Sequence, residues 1–294
     1  MQENLEDALC RIFGKGITIK KKTAVSGGDI NEAYHLLLTN GEEVFLKRNA
    51  AAAPDFFPAE RSGLEALKAA GANTPEVLAY GKTGSNAHYL LLGYVRRGSQ
   101  RRDYWTALGH QLAKLHRAPT AGFTPGGTYG FVGDNYIGQT RQANAPANNW
   151  VEFFRRRRLA PQMHMASPCL EAEDRRRCRA LLDHLEQYLT EPGFPSLLHG
   201  DLWSGNVMPD CNGSAMLIDP AVYVGHHETD LAMTELFGGF SPAFYEAYHE
   251  ILPSEPGYAD RREIYHLYHL LNHLNLFGRS YLSSVRRILR RYAP

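Results

Sequence analysis

The chain changes period near residue 95, and that change constrains its fold more than any other feature. Before it, "ITIKKKTAV", "NEAYHLLLT" and "EVFLKRN" read as strands. A glycine turn, "SGGDIN", separates the first two, and a hairpin signal, "NGEE", separates the second and third. "PAERSGLEALKAAG" then reads as a helix with Pro58 at its start and Gly71 at its end. "EVLAYGKT" and "AHYLLLGYV" complete a five-stranded unit, and a helix over 3–13 precedes it. After the polar stretch "RRGSQRR" (Arg96–Arg102) the pattern is mainly helical, broken only by "LLHGDLWSGNVMPD" and "AMLIDPA". The expected fold is α+β and two-lobed. A small β-rich lobe over 1–95 is joined to a larger, mainly helical lobe over 96–294, and the meeting of two such units is a common ligand site.

Composition excludes some partners. At 294 residues the chain can bury a large core, and 32 Lys and Arg against 31 Asp and Glu leave a net charge of +1. That balance gives no reason to expect nucleic acid or an anionic membrane as partner. The longest apolar run, near "HYLLLGYV", is too short to span a bilayer. Cys10, Cys169, Cys178 and Cys211 form no CxxC pair, and the acidic, amphipathic start has no signal-peptide core, so a reduced cytoplasmic protein is expected. Oligomeric state is left open.

The stretch "LLHGDLWSGN" carries the chemistry. Asp201 and Asn206 have the D-x-x-x-x-N spacing of a kinase catalytic loop. Asp201 would receive the proton of an attacking hydroxyl, and Asn206 would offer its amide oxygen to Mg²⁺. Asp219, thirteen residues on, ends an apolar strand and could reach the same ion, for which oxygen ligands are suited. Upstream, Lys47 lies on a strand after the turn Gly27–Gly28, and Glu60 lies on the next helix, where it can pair with Lys47. Glu65 is a rival one and a half turns further along.

"HGDLWSGN" followed by "IDP" resembles the aminoglycoside-phosphotransferase and choline-kinase branch of the protein-kinase-like fold. More narrowly, "IDPAVYVGHHETDLAM", "FGGFSPAFYEAYH", "HLLNHLNLFG", "SGGDINEAYHL" and "VFLKRN" resemble the fructosamine kinase (ketosamine-3-kinase) family over about residues 15–285. The resemblance implies ATP-dependent phosphorylation of the O3 hydroxyl of a ketosamine, a deglycation step. It implies Asp201 as catalytic base and Asn206 and Asp219 as Mg²⁺ ligands. It also implies Lys47 with Glu60 at the ATP phosphates, a hinge over Leu92, Gly93, Tyr94 and Val95 that meets adenine, and Trp203 against the sugar or its amine. Plant and animal members tend to carry a glycine-loop Cys. Asp29 stands there in this chain, so no thiol switch is expected at that site. The alternatives are a kinase for another amine-bearing alcohol, such as an aminoglycoside or choline, and a silent nucleotide-binding protein.

Other features read more plainly. "RRRR" (Arg155–Arg158) is expected to be a solvated or phosphate-adjacent face. His266, His269 and His273 share a helix face and are read as core or pocket residues rather than a metal site. His199 is read as a structural hydrogen-bonding group. Asp230 is read as an N-cap or loop brace, with Glu228 or Asp230 as options for facing an amine. The loop Pro119–Ala147 is long enough to be functional or mobile.

Overall fold

A computed structural model describes residues 3–25 and 30–293. The turn residues Gly27 and Gly28, and Asp29, lie outside the described residues. The N-terminal part runs β1 (Glu3–Asn4), α1 (Leu5–Phe13), β2 (Ile19–Ala24), β3 (Glu32–Leu38), β4 (Glu43–Asn49), α2 (Phe56–Ala69), β5 (Val77–Lys82) and β6 (His88–Gly93). These strands form one sheet in the order β1-β5-β6-β4-β3-β2, antiparallel except for β1 beside β5. The sheet therefore has six strands rather than five. The added strand is two residues long, too short to show any period. It fits because β5 carries Gly81 opposite it, where a Cβ would lie 1.9 Å from the Glu3 carbonyl oxygen.

Alternation in β3 and β4 puts Leu36, Leu38, Val44 and Leu46 on one face, against Leu5, Ala8 and Leu9 of α1. The other face presents Leu90 and Leu92 to Phe57 and Leu64 of α2. With a helix on each face, β6 is buried throughout all but its last residue, which is why it reads as a continuous apolar run.

The rest of the chain runs α3 (Tyr104–His116), β7 (Asn135–Ile137), β8 (Thr140–Gln142), α4 (Trp150–Phe154), a π-helical turn (Arg155–Leu159), α5 (Ala160–Ala166) and α6 (Ala172–Asp183). Then follow β9 (Ser196–Leu198), β10 (Val207–Pro209), β11 (Ala215–Leu217), β12 (Tyr223–Gly225), α7 (Glu228–Leu236), α8 (Pro242–Ile251), α9 (Tyr258–Phe277) and α10 (Leu282–Tyr292). The helix α2 begins at Phe56, two residues before the expected Pro58, and other helix ends are capped locally. Asn149 accepts from the Glu152 N–H at 2.8 Å, Pro242 opens α8, and Gly278 closes α9 at φ +89°.

Two short ladders shape the site: β9 pairs with β12, and β10 pairs with β11. The helix α2 leans on the segment after β11, because Gly63 leaves room for Val222 and Pro220 at 3.1 and 3.6 Å from where its Cβ would stand.

The long loop is structured, and the expectation for the arginine run is corrected. The loop 119–147 contains the β7–β8 hairpin, and its buried Asn135, Gln142 and Asn144 are hydrogen-bonded into the protein. The arginine run is not a uniform solvated face. Arg155 and Arg156 pair with Glu152, while Arg158 is fully buried on the Tyr223 ring, 3.8 Å away.

Candidate active site

Four elements converge on one group of side chains. Lys47 on β4 is buried, and its ammonium reaches Glu60 Oε1 on α2 at 2.5 Å and also bonds Asp219. Glu65 instead pairs with Arg61 at 2.8 Å. Burial pulls the Lys47 pKa down, but Asp219 and Glu60 outweigh it and hold it above the ordinary lysine range. Burial raises the Glu60 carboxyl against the attraction of Lys47.

Asp219 sits at φ +54°, a left-handed conformation that a non-glycine residue holds only where its surroundings enforce it. The loop from β9 turns at Gly200, φ +83°, where a Cβ would lie 2.0 Å from the Ala221 carbonyl oxygen. Only glycine permits that approach, and it lets the Ala221 N–H donate to His199 O at 2.8 Å. The Asp219 segment and the Asp201 loop are thus laced together by backbone.

Asn206 Nδ2 donates to the Asp201 backbone carbonyl at 2.8 Å and to Asp201 Oδ2 at 3.2 Å. Its Oδ1 accepts no hydrogen bond among the described residues. Burial first, and then the nearby charge of Asp219, lift the Asp201 carboxyl to about 7, against the lowering effect of the Asn206 bond. Asn206 Oδ1 and the half-exposed Asp219 carboxylate fit the oxygen donors that a divalent cation such as Mg²⁺ takes.

The Asp201 loop is braced from beneath. Asp230 accepts the His199 N–H at 2.7 Å and the Gly200 N–H at 2.9 Å, and His116 Nε2 lies 3.2 Å from it. Its carboxyl is held below the usual range despite burial, since these donors favour the anion. The helix α7 begins at Glu228, so Asp230 lies in its first turn and acts as the loop brace, not the N-cap. Neither acid faces an amine: Asp230 is buried, and Glu228 is taken by Arg261 at 2.6 and 2.8 Å. His199 is structural as expected. Its Nε2 donates to Ile218 O, its Nδ1 accepts from the Asp201 N–H, and burial keeps it neutral. His116 escaped the sequence reading, and only its partner Asp230 marked the place.

Trp203 is 40 % exposed, and its ring lies over Gly205, where a Cβ would come within 2.2 Å. Gly239 brings the 237–240 segment against Ser204. The exposed Phe237 then stands 4.9 Å from His273, which also packs on Phe277 and Tyr281. His266 bonds Ala232 O at 2.8 Å, and His273 bonds His269 O at 2.8 Å.

At the hinge, Leu92 and Gly93 end β6, and the Gly93 N–H is already taken by Glu76 O at 2.8 Å. Tyr94 stacks on His35 at 3.9 Å. The N–H groups of Tyr94 and Val95 have no backbone partner among the described residues and are left to donate elsewhere.

A strand lysine paired to a helix glutamate, with an aspartate and an asparagine on one loop and a second aspartate after the next strand, defines a phosphotransferase of protein-kinase-like fold. Comparison agrees. A hygromycin-bound aminoglycoside phosphotransferase, APH(4)-Ia, shares the fold at TM-score 0.65 and 16% identity, covering 98% of this chain and 96% of that one. The fructosamine kinase family model matches residues 1–293, and the chain belongs to that family. A probable ketoamine kinase of Synechocystis is 38% identical over 98% of this chain and 95% of that protein. The chloroplastic protein-ribulosamine 3-kinase of Arabidopsis thaliana is 36% identical over 95% of this chain and 84% of its own length. A Haemophilus somnus crystal structure, assigned as a fructosamine-3-kinase, aligns at TM-score 0.87 and 27% identity over 99% of this chain and 97% of that one.

Proposed function

We propose that this chain transfers the γ-phosphoryl group of ATP to the O3 hydroxyl of a ketosamine. The observation that carries the reading is Asp201, half-buried, hydrogen-bonded by Asn206 and close to Asp219, in a chain of this family. The Asp201 carboxylate orients the hydroxyl and accepts its proton as oxygen attacks phosphorus. The bond from phosphorus to the bridging oxygen breaks, and ADP departs. Lys47 supplies the positive charge on the phosphate side, and Glu60 fixes its direction. Asn206 and Asp219 would hold Mg²⁺, which when bound neutralises phosphate charge. Tyr94 and Val95 are the hinge residues for adenine, and Trp203 lines the acceptor. We place the lobe boundary at 95/96.

Phosphate at O3 has a chemical consequence. Loss of a proton from carbon 1 gives an enaminol whose electrons expel phosphate from carbon 3, and water then hydrolyses the imine to release the amine. Hydroxide leaves far less readily, so the reaction favours deglycation. Among the described residues no helix is long and apolar enough to cross a membrane, and the four cysteines are free, which supports a cytoplasmic assignment.

The test is ADP formation with Mg-ATP and ribuloselysine, fructoselysine, kanamycin or choline. Turnover on a ketosamine at least tenfold above the others is expected. Turnover on kanamycin or choline alone would overturn the substrate, and nucleotide binding without any turnover would favour the silent protein.

The pH profile follows from the raised Asp201 pKa. A base must be deprotonated to act, so kcat/KM should climb with pH through about 7 and level off above it. An assay from pH 5.5 to 9 checks this. A flat profile below 7 would remove Asp201 as the titrating base.

A further inference from the structure

Arg158 is a buried cation that the chemistry above does not use. It is 0 % exposed, and no carboxylate oxygen among the described residues lies within salt-bridge distance. Nη1 donates to Ala143 O at 2.8 Å and Arg157 O at 2.9 Å, and Nη2 donates to Asn144 Oδ1 at 2.7 Å. Its plane packs on Tyr223 and Phe153, at 3.8 and 4.7 Å from the ring centres. Burying a charge without a counter-ion is costly. The chain also departs from the α-helix to do it, since the π-helical turn Arg155–Leu159 directs this one arginine of the run inward.

The bonds beyond Arg158 run toward the site. Asn144 Nδ2 donates to Asn135 Oδ1 at 3.0 Å, and Gln142 Nε2 donates to the same oxygen at 2.8 Å. Asn135 Nδ2 then donates to Val222 O at 2.6 Å, and Gln142 Nε2 to Ala221 O at 3.1 Å. Tyr268 holds the far side of Gln142 at 2.5 Å. Ala221 and Val222 lie two and three residues after the left-handed Asp219, and the Ala221 N–H binds His199 O. Tyr223, under the guanidinium, pairs with Leu198, three residues before Asp201.

We propose that Arg158 is a positioning residue for phosphoryl transfer, holding through Asn144, Asn135 and Gln142 the carbonyls that keep Asp219 and the Asp201 loop in register. The inference rests on the reading of Asp219 as the residue toward the nucleotide's metal. An apolar brace would fill the space, but it could not orient Asn144, whose amide must present its oxygen to Arg158 and its nitrogen to Asn135.

The test uses the full chain with Arg158→Met and, separately, Gln142→Met, which leaves the guanidinium in place. The readouts are the affinity for the non-hydrolysable ATP analogue AMP-PNP with and without Mg²⁺, the melting temperature, and kcat and KM. Both variants are expected to lose at least tenfold in affinity with Mg²⁺ and to stay within twofold without it. Their kcat should fall about 30-fold, with ketosamine KM moving less than threefold. A folded variant whose Mg²⁺-dependent affinity and kcat stay within twofold of the parent overturns the proposal and leaves Arg158 a packing residue. Should Arg158→Met not fold, Gln142→Met decides by the same outcomes. Loss of Mg²⁺-dependent binding in a protein that turns over no ketosamine would uphold Arg158 and reject the substrate reading.

Discussion

Asp201→Asn is expected to lower kcat about 10³-fold, within the range that a positioned base contributes, and to leave nucleotide affinity within threefold. The two side chains have one shape. Asparagine keeps an oxygen for Asn206 Nδ2, and the backbone carbonyl that Asn206 also holds is untouched. Lost is the group that receives the proton. Burial first, and then the charge of Asp219, disfavour the ionised Asp201 carboxylate in the fold. Removing it therefore should not lower the melting temperature at pH 8, where the carboxylate is ionised, and a small rise is expected. Inactivity combined with unchanged or increased stability separates a chemical role from a folding role. A variant that keeps a tenth of the parent kcat would contradict the assignment.

Lys47→Met is the second large effect. Loss of a preorganised cation at the transferring phosphoryl should cost about 10²- to 10³-fold in kcat/KM for ATP. The variant also leaves Glu60 and Asp219 with no cation between them. Glu60, buried and already raised, should then take up a proton at higher pH than in the parent. Accordingly the melting temperature of the variant should fall most at pH 8, and the deficit should shrink toward pH 5, where a protonated Glu60 needs no partner. Steady-state kinetics with varied ATP and a melting series over pH 5–8 measure both. A variant with unchanged kcat/KM for ATP would place the phosphates elsewhere.

The parts of the site that were legible in the sequence are those fixed by local chain geometry. Asp201 and Asn206 are joined by one tight loop, and Asp219 follows β11, which pairs with the strand directly after that loop, so their spacing survives into space. Lys47 and Glu60 were legible because a strand followed by a helix on the same sheet leaves few ways to pair them. Arg158 was not legible. In the sequence it is one of four identical residues, and only the π-helical turn distinguishes it. Asp230 and His116 are 114 positions apart, so no local period links them. The bond from the Gly93 N–H to Glu76 O was not legible either, because Glu76 lies in an irregular segment before β5 rather than in a paired strand. Local chemistry is written locally, while the bracing that orients it depends on tertiary contacts.

Position-resolved ³¹P and ¹H NMR of the product formed from fructoselysine or ribuloselysine tests the central claim most directly. Expected is a single phosphate ester coupled to the proton on carbon 3 of the sugar, absent with Asp201→Asn, followed by release of inorganic phosphate and free lysine. A phosphate on any other hydroxyl, or on the amine, would contradict it.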